Sequence, residues 1–165
     1  MSIFVAPTPA PKPKTKDVHK IALFYAAILV VMGVAQLFTF DTFLALVASF
    51  GYPGGEPVAY LLAALLVSLE VFALPFLLRM AISPAFRWVS MVAGWSVAAI
   101  WFVTSTWLVL TSAAVESIGF LGASVPIMPG WWAIFMSLSF GILAAWASWG
   151  MWPGKKRRGI VHQRG

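Results

Sequence analysis

The 165-residue sequence contains no cysteine, and its two histidines, His19 and His162, lie near opposite ends of the chain. A disulfide, a thiolate nucleophile or an iron–sulfur cluster therefore cannot be built from this chain alone. Two such distant histidines provide no metal site. The sequence also lacks a glycine-rich phosphate loop and a Ser–His–Asp set. These absences favour a non-enzymatic protein over catalysis of the kind that soluble enzymes perform.

Charge is also scarce, because only 10% of the residues are charged whereas 61% are hydrophobic. Apolar runs of about 20 residues match a hydrocarbon thickness of about 30 Å when they are helical. Four such runs leave almost no polar surface to cover a soluble core. The sequence therefore predicts an all-α integral membrane protein, a four-helix bundle. The predicted spans are residues 21–40, 58–78, 86–111 and 131–152.

The formal net charge of +6 raises the possibility of nucleic-acid binding, but the distribution of the basic residues argues against a specific nucleic-acid partner. All eleven basic residues lie before the first span, between the second and third, or after the fourth: Lys12, Lys14, Lys16, Lys20, Arg79, Arg87, Lys155, Lys156, Arg157, Arg158 and Arg164.

The two other connections carry only acids: Asp41 and Glu56 in the first, and Glu116 in the last. By the positive-inside rule, both termini and the short middle connection are predicted to be cytoplasmic. The two longer connections then face outward. This pattern predicts a multi-pass protein of the plasma membrane or the bacterial inner membrane.

The segments outside the spans differ in character. Residues 1–20 are rich in proline and lysine and are predicted to form a disordered tail, and residues 153–165 form a second basic tail. After the first span, a short helix with Asp41 as its cap would place Phe43, Leu44, Val47 and Phe50 on one side. This helix is expected to lie along the outer interface or to fold back onto the bundle. Residues 112–130 are expected to be irregular or partly re-entrant.

Small residues recur four apart in the last two spans and predict close helix packing. The third span carries Ser90, Gly94 and Ala98, and the fourth carries Ser137, Gly141 and Ala145. Three tryptophans, Trp95, Trp101 and Trp146, lie deep in these spans and are expected to face lipid or to pack against a neighbouring helix.

The second span contains one acid, Glu70, which lies about 18 Å from Val58 along a helix and hence near the middle of the bilayer. Its helix face also carries Ala63, Val67, Ala73 and Leu77, so we expect this face to turn toward other helices. Pro75 cannot donate to the carbonyl of residue 71, which loosens the next turn. Ionisable residues at this depth often mark polar sites.

Desolvation favours the neutral acid, so we expect Glu70 to be protonated at neutral pH unless a cation or water reaches it. Its partners must be neutral, because no Lys, Arg or His lies in any predicted span. Two interpretations remain: a purely structural hydrogen bond between helices, or a functional site for a proton or a ligand. The candidate partners are Gln36, Ser68, Ser96, Ser137 and Ser139.

The sequence from residue 21 to residue 94 resembles the DoxX/MauE-type family of small four-span membrane proteins. The resemblance lies in Gly33, in the spaced Phe43 and Leu46, in the central Glu70, and in the basic turn of Arg79 and Arg87. It implies an accessory membrane subunit linked to a quinone-dependent redox system or to the maturation of redox enzymes. A quinone is the cofactor that the resemblance implies, and Glu70 would provide the polar site.

These observations predict an accessory membrane protein with a buried polar site at Glu70 that receives a proton or a lipophilic ligand. The alternative is a small transporter or channel subunit in which Glu70 carries a coupling proton. The expected surroundings are the lipid bilayer together with a membrane-protein partner or further copies of the chain. Replacing Glu70 by glutamine distinguishes the two functions, because only the first needs no ionisation.

Overall fold

The structure is a computed structural model and describes residues 7–152. Four helices in it are long and apolar enough to cross a membrane, which indicates a multi-pass membrane protein and agrees with the predicted number of spans. A nine-residue helix, α2, lies between the first two. The helices are α1 (Lys16–Phe38), α2 (Phe40–Ala48), α3 (Gly55–Leu77), α4 (Pro84–Leu110) and α5 (Trp131–Met151).

The long helices form a four-membered ring in which each packs against two neighbours. Helix α1 contacts α3 and α5, and α4 contacts the same two helices from the opposite corner. Large apolar side chains point away from this ring on every long helix, for example Phe24, Leu61, Val103 and Phe135. Such a surface suits contact with lipid chains rather than with water.

Helix α2 packs against α3 and turns the predicted side inward, with Phe43, Val47 and Phe50 buried. The prediction that Asp41 caps this helix is wrong, because α2 begins at Phe40 and its N-cap is Thr39. The Thr39 hydroxyl donates to the carbonyl of Ala35 at 3.0 Å, which ties the start of α2 to the end of α1. Its position at a membrane surface stays a prediction.

The small residues of α4 lie in the contact with α3 and α1. Ser90, Gly94 and Ala98 are buried, and the Gly94 carbonyl accepts a hydrogen bond of 2.8 Å from the Tyr25 hydroxyl. The Ser90 hydroxyl accepts from the Phe76 N–H at 2.9 Å and is 3.3 Å from the Ala73 carbonyl. Ser90 thus satisfies backbone groups beside Pro75, where the helical hydrogen-bond pattern is interrupted.

Replacing Ser90 by alanine is expected to reduce the free energy of unfolding by about 1 kcal/mol, the usual size of a polar contact between membrane helices. The reason is that Phe76 N–H then loses its partner beside Pro75. Denaturation by SDS in mixed micelles measures this loss. Ser139→Ala is the control, because that hydroxyl is exposed and bonds only to its own helix. Equal stability of the two variants would contradict the role of Ser90.

On α5 the buried residues follow a different stripe from the predicted one. Ser137 is buried, but no atom of another element lies within 4 Å of the position that a Cβ of Gly141 would take. Ala145 borders an outer apolar groove with Trp146. The contact with α1 instead uses small residues such as Gly150, which packs against Val18. The residues that face the ring are Ala133, Ser137, Phe140, Ala144, Ala147, Gly150 and Met151.

The proline-rich segment before α1 does not form a free tail over residues 7–15, contrary to the prediction. It runs across the turn between α3 and α4, where the Thr8 N–H donates to the Ile82 carbonyl at 3.2 Å. Arg87 donates to the Thr8 carbonyl at 2.8 Å, and Arg79 donates to that of Pro11 at 3.3 Å. Hydrogen bonds from Arg79 and Arg87 to main-chain carbonyls therefore hold in place a segment that has no hydrophobic core of its own. The predicted tail of residues 153–165 lies outside the described residues.

This segment also shows that the basic residues before α1 and those in the α3–α4 turn share one end of the bundle, which we call the basic end. The Lys14 N–H reaches the carbonyl of Gly150 at the last turn of α5, so three elements meet there. Asp41, Glu56 and Glu116 lie at the opposite, acidic end, where α1 ends and α3 begins. The described chain is thus polarised along the bundle axis.

Candidate functional site

The polar site inside the bundle is built around Glu70 on α3. Glu70 is 1% exposed. The side-chain amide of Gln36 on α1 donates from Nε2 to Oε1 of Glu70 at 3.2 Å. Among residues 7–152, no cation lies within ion-pairing distance of Glu70, since the one ion pair joins Lys20 and Asp17 at the basic end. The buried acid therefore has a neutral partner, as the sequence predicted.

Gln36 and Glu70 meet because α1 and α3 are staggered. Gln36 lies in the last turn of α1, whereas Glu70 lies about 22 Å from the start of α3 by helical rise. Helix α3 therefore extends well beyond α1 toward the acidic end. Helix α2, which follows α1 in the chain, packs against α3. On the side of the acidic end, the polar site is therefore covered by the short helix α2 and by the irregular connection between α4 and α5.

Gly33 gives the carboxyl group its space on α1. A Cβ at this position would lie 3.1 Å from Oε2 of Glu70 and 3.8 Å from its Cβ. Such a contact is tighter than an ordinary van der Waals approach, so a larger side chain would push the carboxyl away from Gln36. The close approach of the two helices thus depends on the absence of a side chain at residue 33.

The connection between α4 and α5 enters the bundle and covers the polar site on the side of the acidic end. It is irregular and contains buried residues from Ser117 to Phe120, which agrees with the expected irregular or partly re-entrant course. The carbonyl of Phe120 accepts a second hydrogen bond from Gln36 Nε2, at 3.2 Å. One amide group therefore joins α1 to α3 and to this connection.

Trp101 on α4 forms the fourth side of the site. Its indole ring is 1% exposed and packs against Phe120, with the ring centroids 4.6 Å apart. The indole nitrogen lies close to the Glu70 carboxyl, but no acceptor is in hydrogen-bonding geometry with Nε1. Nε1 is therefore an unsatisfied donor beside the carboxyl. Trp101 packs inward, whereas Trp95 and Trp146 are 42% and 49% exposed.

Three buried polar atoms at this site have no hydrogen-bond partner: Oε2 of Glu70, Oε1 of Gln36 and Nε1 of Trp101. The orientation of the Gln36 amide follows from its contacts, because Nε2 faces Oε1 of Glu70 and the Phe120 carbonyl oxygen. With the amide turned over, the Gln36 oxygen would face these two oxygens instead. A protonated carboxyl would supply the donor that Gln36 Oε1 lacks. The chemistry of the site therefore suits a neutral acid paired with an amide.

The predicted serine partners are not part of this site. Ser68 and Ser139 are exposed, and each donates to a carbonyl of its own helix. Ser137 is buried but pairs with Ser105 at 3.1 Å, and Ser96 is half-buried on α4. Of the five candidate partners, Gln36 is the one that the structure brings to Glu70.

A small cavity borders the site on the side of the acidic end. Its volume of about 10 Å³ suits one water molecule, and its wall includes Trp101, Leu66, Tyr52 and Thr104. The hydroxyl groups of Tyr52 and Thr104 are 2.6 Å apart. Burial raises the pKa of Tyr52, although the hydrogen bond to Thr104 opposes this change. The Tyr52 hydroxyl therefore stays protonated at neutral pH.

The sequence did not identify Trp101, Tyr25 or Phe120 as parts of this region. For Trp101 a usable signal was present, because it lies three residues after Ala98 and seven after Gly94 on the predicted packing stripe. The role of Phe120 had no comparable signal, since it acts through a main-chain carbonyl in a segment without periodicity.

The site does not fit a quinone, the cofactor implied by the resemblance. Gln36 is 0% exposed and Glu70 and Trp101 are each 1% exposed, so no open space of the size of a quinone ring adjoins them. A group of three or more potential metal-ligating His, Cys, Asp or Glu residues is likewise not found within residues 7–152. The arrangement can hold a proton and, after small movements, a water molecule.

Comparison with known proteins adds no relative to this geometry. No protein-family model, curated protein sequence or solved structure matches the chain. The indication of function therefore comes from the site itself: a buried acid–amide pair that joins two long apolar helices to the irregular connection between α4 and α5.

Proposed function

We propose that the protein is a non-enzymatic accessory protein of a membrane assembly, in which Glu70 and Gln36 form a neutral pair that holds the outer connection in the bundle. The observation that carries the proposal is the double hydrogen bond from Gln36 Nε2 to Glu70 and to the Phe120 carbonyl. A group that satisfies two acceptors from different elements stabilises one arrangement of those elements. A fixed outer surface is what a partner protein requires.

The proposed orientation places the basic end in the cytoplasm and the acidic end outside, in accordance with the positive-inside rule. The connection that contains Phe120 would then face the periplasm or the cell exterior. A redox or maturation system, as the resemblance to DoxX/MauE-type proteins implies, is the context that we propose for the partner. The role of the chain in that context is to present the outer surface, because its buried site leaves no room for a quinone.

Replacement of Glu70 by glutamine tests the proposal, because an amide can still accept from Gln36 Nε2 and can donate to Gln36 Oε1. We expect the unfolding free energy of Glu70→Gln to stay within about 1 kcal/mol of the unchanged protein, and Glu70→Leu to lose about 2 kcal/mol or more. Partners that co-purify in mild detergent should be retained by the glutamine variant and lost from the leucine variant.

Proton flux distinguishes the accessory role from the transport alternative. Vesicles that contain the purified chain and a pH-sensitive dye are placed in an imposed pH gradient, with a potassium ionophore to balance charge. An accessory protein should give the same proton flux as protein-free vesicles. A larger flux that disappears in Glu70→Gln would overturn the proposal in favour of a proton-coupled transporter or channel.

A further inference from the structure

Trp101 belongs both to the polar site and to the wall of the nearby cavity. Gln36, Trp101 and Glu70 each keep one buried polar atom without a partner. The cavity reaches Trp101 from the acidic end and follows α3 along Leu66 and Ala63, which lie about one and two helical turns from Glu70. Trp101 therefore separates the unsatisfied atoms from a space of the size of a water molecule.

The cavity also contains polar groups that can hold a water molecule. Tyr52 and Thr104 share one hydrogen bond, so one of their two hydroxyl hydrogens and several lone pairs remain available. A buried water needs two or more such partners. The Phe50 carbonyl at the same end already accepts from Trp107 Nε1 at 3.0 Å, which fixes the outer wall of this space.

The path toward the basic end is more tightly closed. There the Tyr25 hydroxyl donates to the Gly94 carbonyl, and Ser90 is bound to the backbone of α3. Arg79 and Arg87 lie at the surface of this end and donate to carbonyls of the segment before α1. Tyr25 is the titratable side chain that faces Glu70 from α1, and it offers no free hydroxyl hydrogen. A proton would thus have to break several packed contacts on this route.

We propose that Glu70 exchanges its proton with water from the acidic end, through the cavity between Tyr52, Thr104 and Trp101. Trp101 and Phe120 act as the gate, because the Trp101 indole forms part of the cavity wall and packs against the Phe120 ring in a tilted arrangement. A rotation of the indole or a small outward movement of the connection joins the two spaces. This inference rests on the proposed function in that Glu70 carries the proton of a neutral acid–amide pair.

Infrared spectroscopy in D2O tests the route, because deuterium exchange shifts the carbonyl band of a protonated carboxyl. The band of Glu70 is identified by its loss in Glu70→Gln. Thr104→Val removes a cavity hydroxyl at nearly constant shape and should slow the exchange about tenfold, the factor that corresponds to one lost hydrogen bond. Trp101→Phe replaces the indole of the gate by a smaller ring and should accelerate the deuterium exchange of Glu70.

Thr106→Val is the matched control, since Thr106 lies on the same helix but is bonded to its own backbone outside the cavity. The absence of cysteine allows a second test of direction in detergent micelles. Attachment of a bulky thiol reagent to Tyr52→Cys should slow the exchange. The same attachment to Ala81→Cys, which is exposed at the basic end, should leave the exchange rate unchanged.

The outcomes separate this inference from the proposed function. A Glu70 band whose exchange is equally fast in Thr104→Val and Thr106→Val would overturn the route while leaving the neutral pair intact. Slower exchange after labelling of Ala81→Cys, rather than of Tyr52→Cys, would overturn it as well. The absence of any protonated carboxyl band that depends on Glu70 would overturn both the route and the neutral pair.

Discussion

Replacing Gly122 by alanine is expected to displace the outer connection from the bundle. A Cβ at this position would lie 2.7 Å from the carbonyl oxygen of Ala35 and 2.6 Å from the Thr39 hydroxyl oxygen, both at the end of α1. Neither oxygen can move freely, because Ala35 belongs to helical backbone and Thr39 bonds to it and to the Ala123 N–H. Relief of the clash therefore requires movement of the connection, which also carries the Phe120 carbonyl.

The control for this prediction is Gly51→Ala. Both glycines have positive φ, +64° at Gly122 and +65° at Gly51, so alanine meets similar backbone strain at either position. Apart from Gly51 and its two neighbours in the chain, no atom lies within 4 Å of the added Cβ at Gly51. We expect Gly122→Ala to lose at least about 2 kcal/mol more of the unfolding free energy than Gly51→Ala, in the range known for overpacking.

Two measurements check this result. SDS denaturation compares the stability of the two glycine variants, and hydrogen–deuterium exchange of residues 117–123 reports whether the connection has left the bundle. Similar stability and similar exchange of the two variants would show that the connection does not depend on its contact with α1.

Replacing Gln36 by leucine should have the second large effect. Leucine has a similar volume but cannot donate, so Glu70 Oε1 and the Phe120 carbonyl both lose their partner. A buried polar group left without a partner costs about 1–3 kcal/mol, and two are affected here, so we expect a loss of about 2–6 kcal/mol. The connection should also exchange its amide hydrogens faster, because its tie to α1 and α3 is gone.

Ser68→Ala is the control for Gln36→Leu. The sequence predicted both residues as partners of Glu70, whereas in the structure Ser68 is exposed and donates to the Ala64 carbonyl of its own helix at 2.7 Å. Its replacement should change stability by a few tenths of a kcal/mol at most, as helix back-bonding by serine contributes little. A loss after Ser68→Ala as large as that after Gln36→Leu would contradict the assignment of the Glu70 partner.

Part of the site could be predicted because it depends on local periodicity. Ala63, Val67, Ala73 and Leu77 share the face of Glu70, and the structure buries all four together with the acid. The same periodicity in α4 predicts the buried Ser90, Gly94 and Ala98. The periodicity was less successful in α5, where every face is apolar and Gly141 and Ala145 are only half-buried instead of facing the ring.

The sequence by itself determined the four long helices, the separation of basic and acidic ends, and the inward position of Glu70. These follow from hydropathy, charge and a 3.6-residue repeat, which depend only on neighbouring residues.

The tertiary structure alone decided the partners of that acid. The stagger of α1 against α3 brings Gln36 to Glu70, and the connection after α4 places the Phe120 carbonyl on the same amide. Both depend on how separate helices and an aperiodic segment pack together. The energy of such contacts belongs to pairs of residues distant in the chain, so no local pattern specifies them.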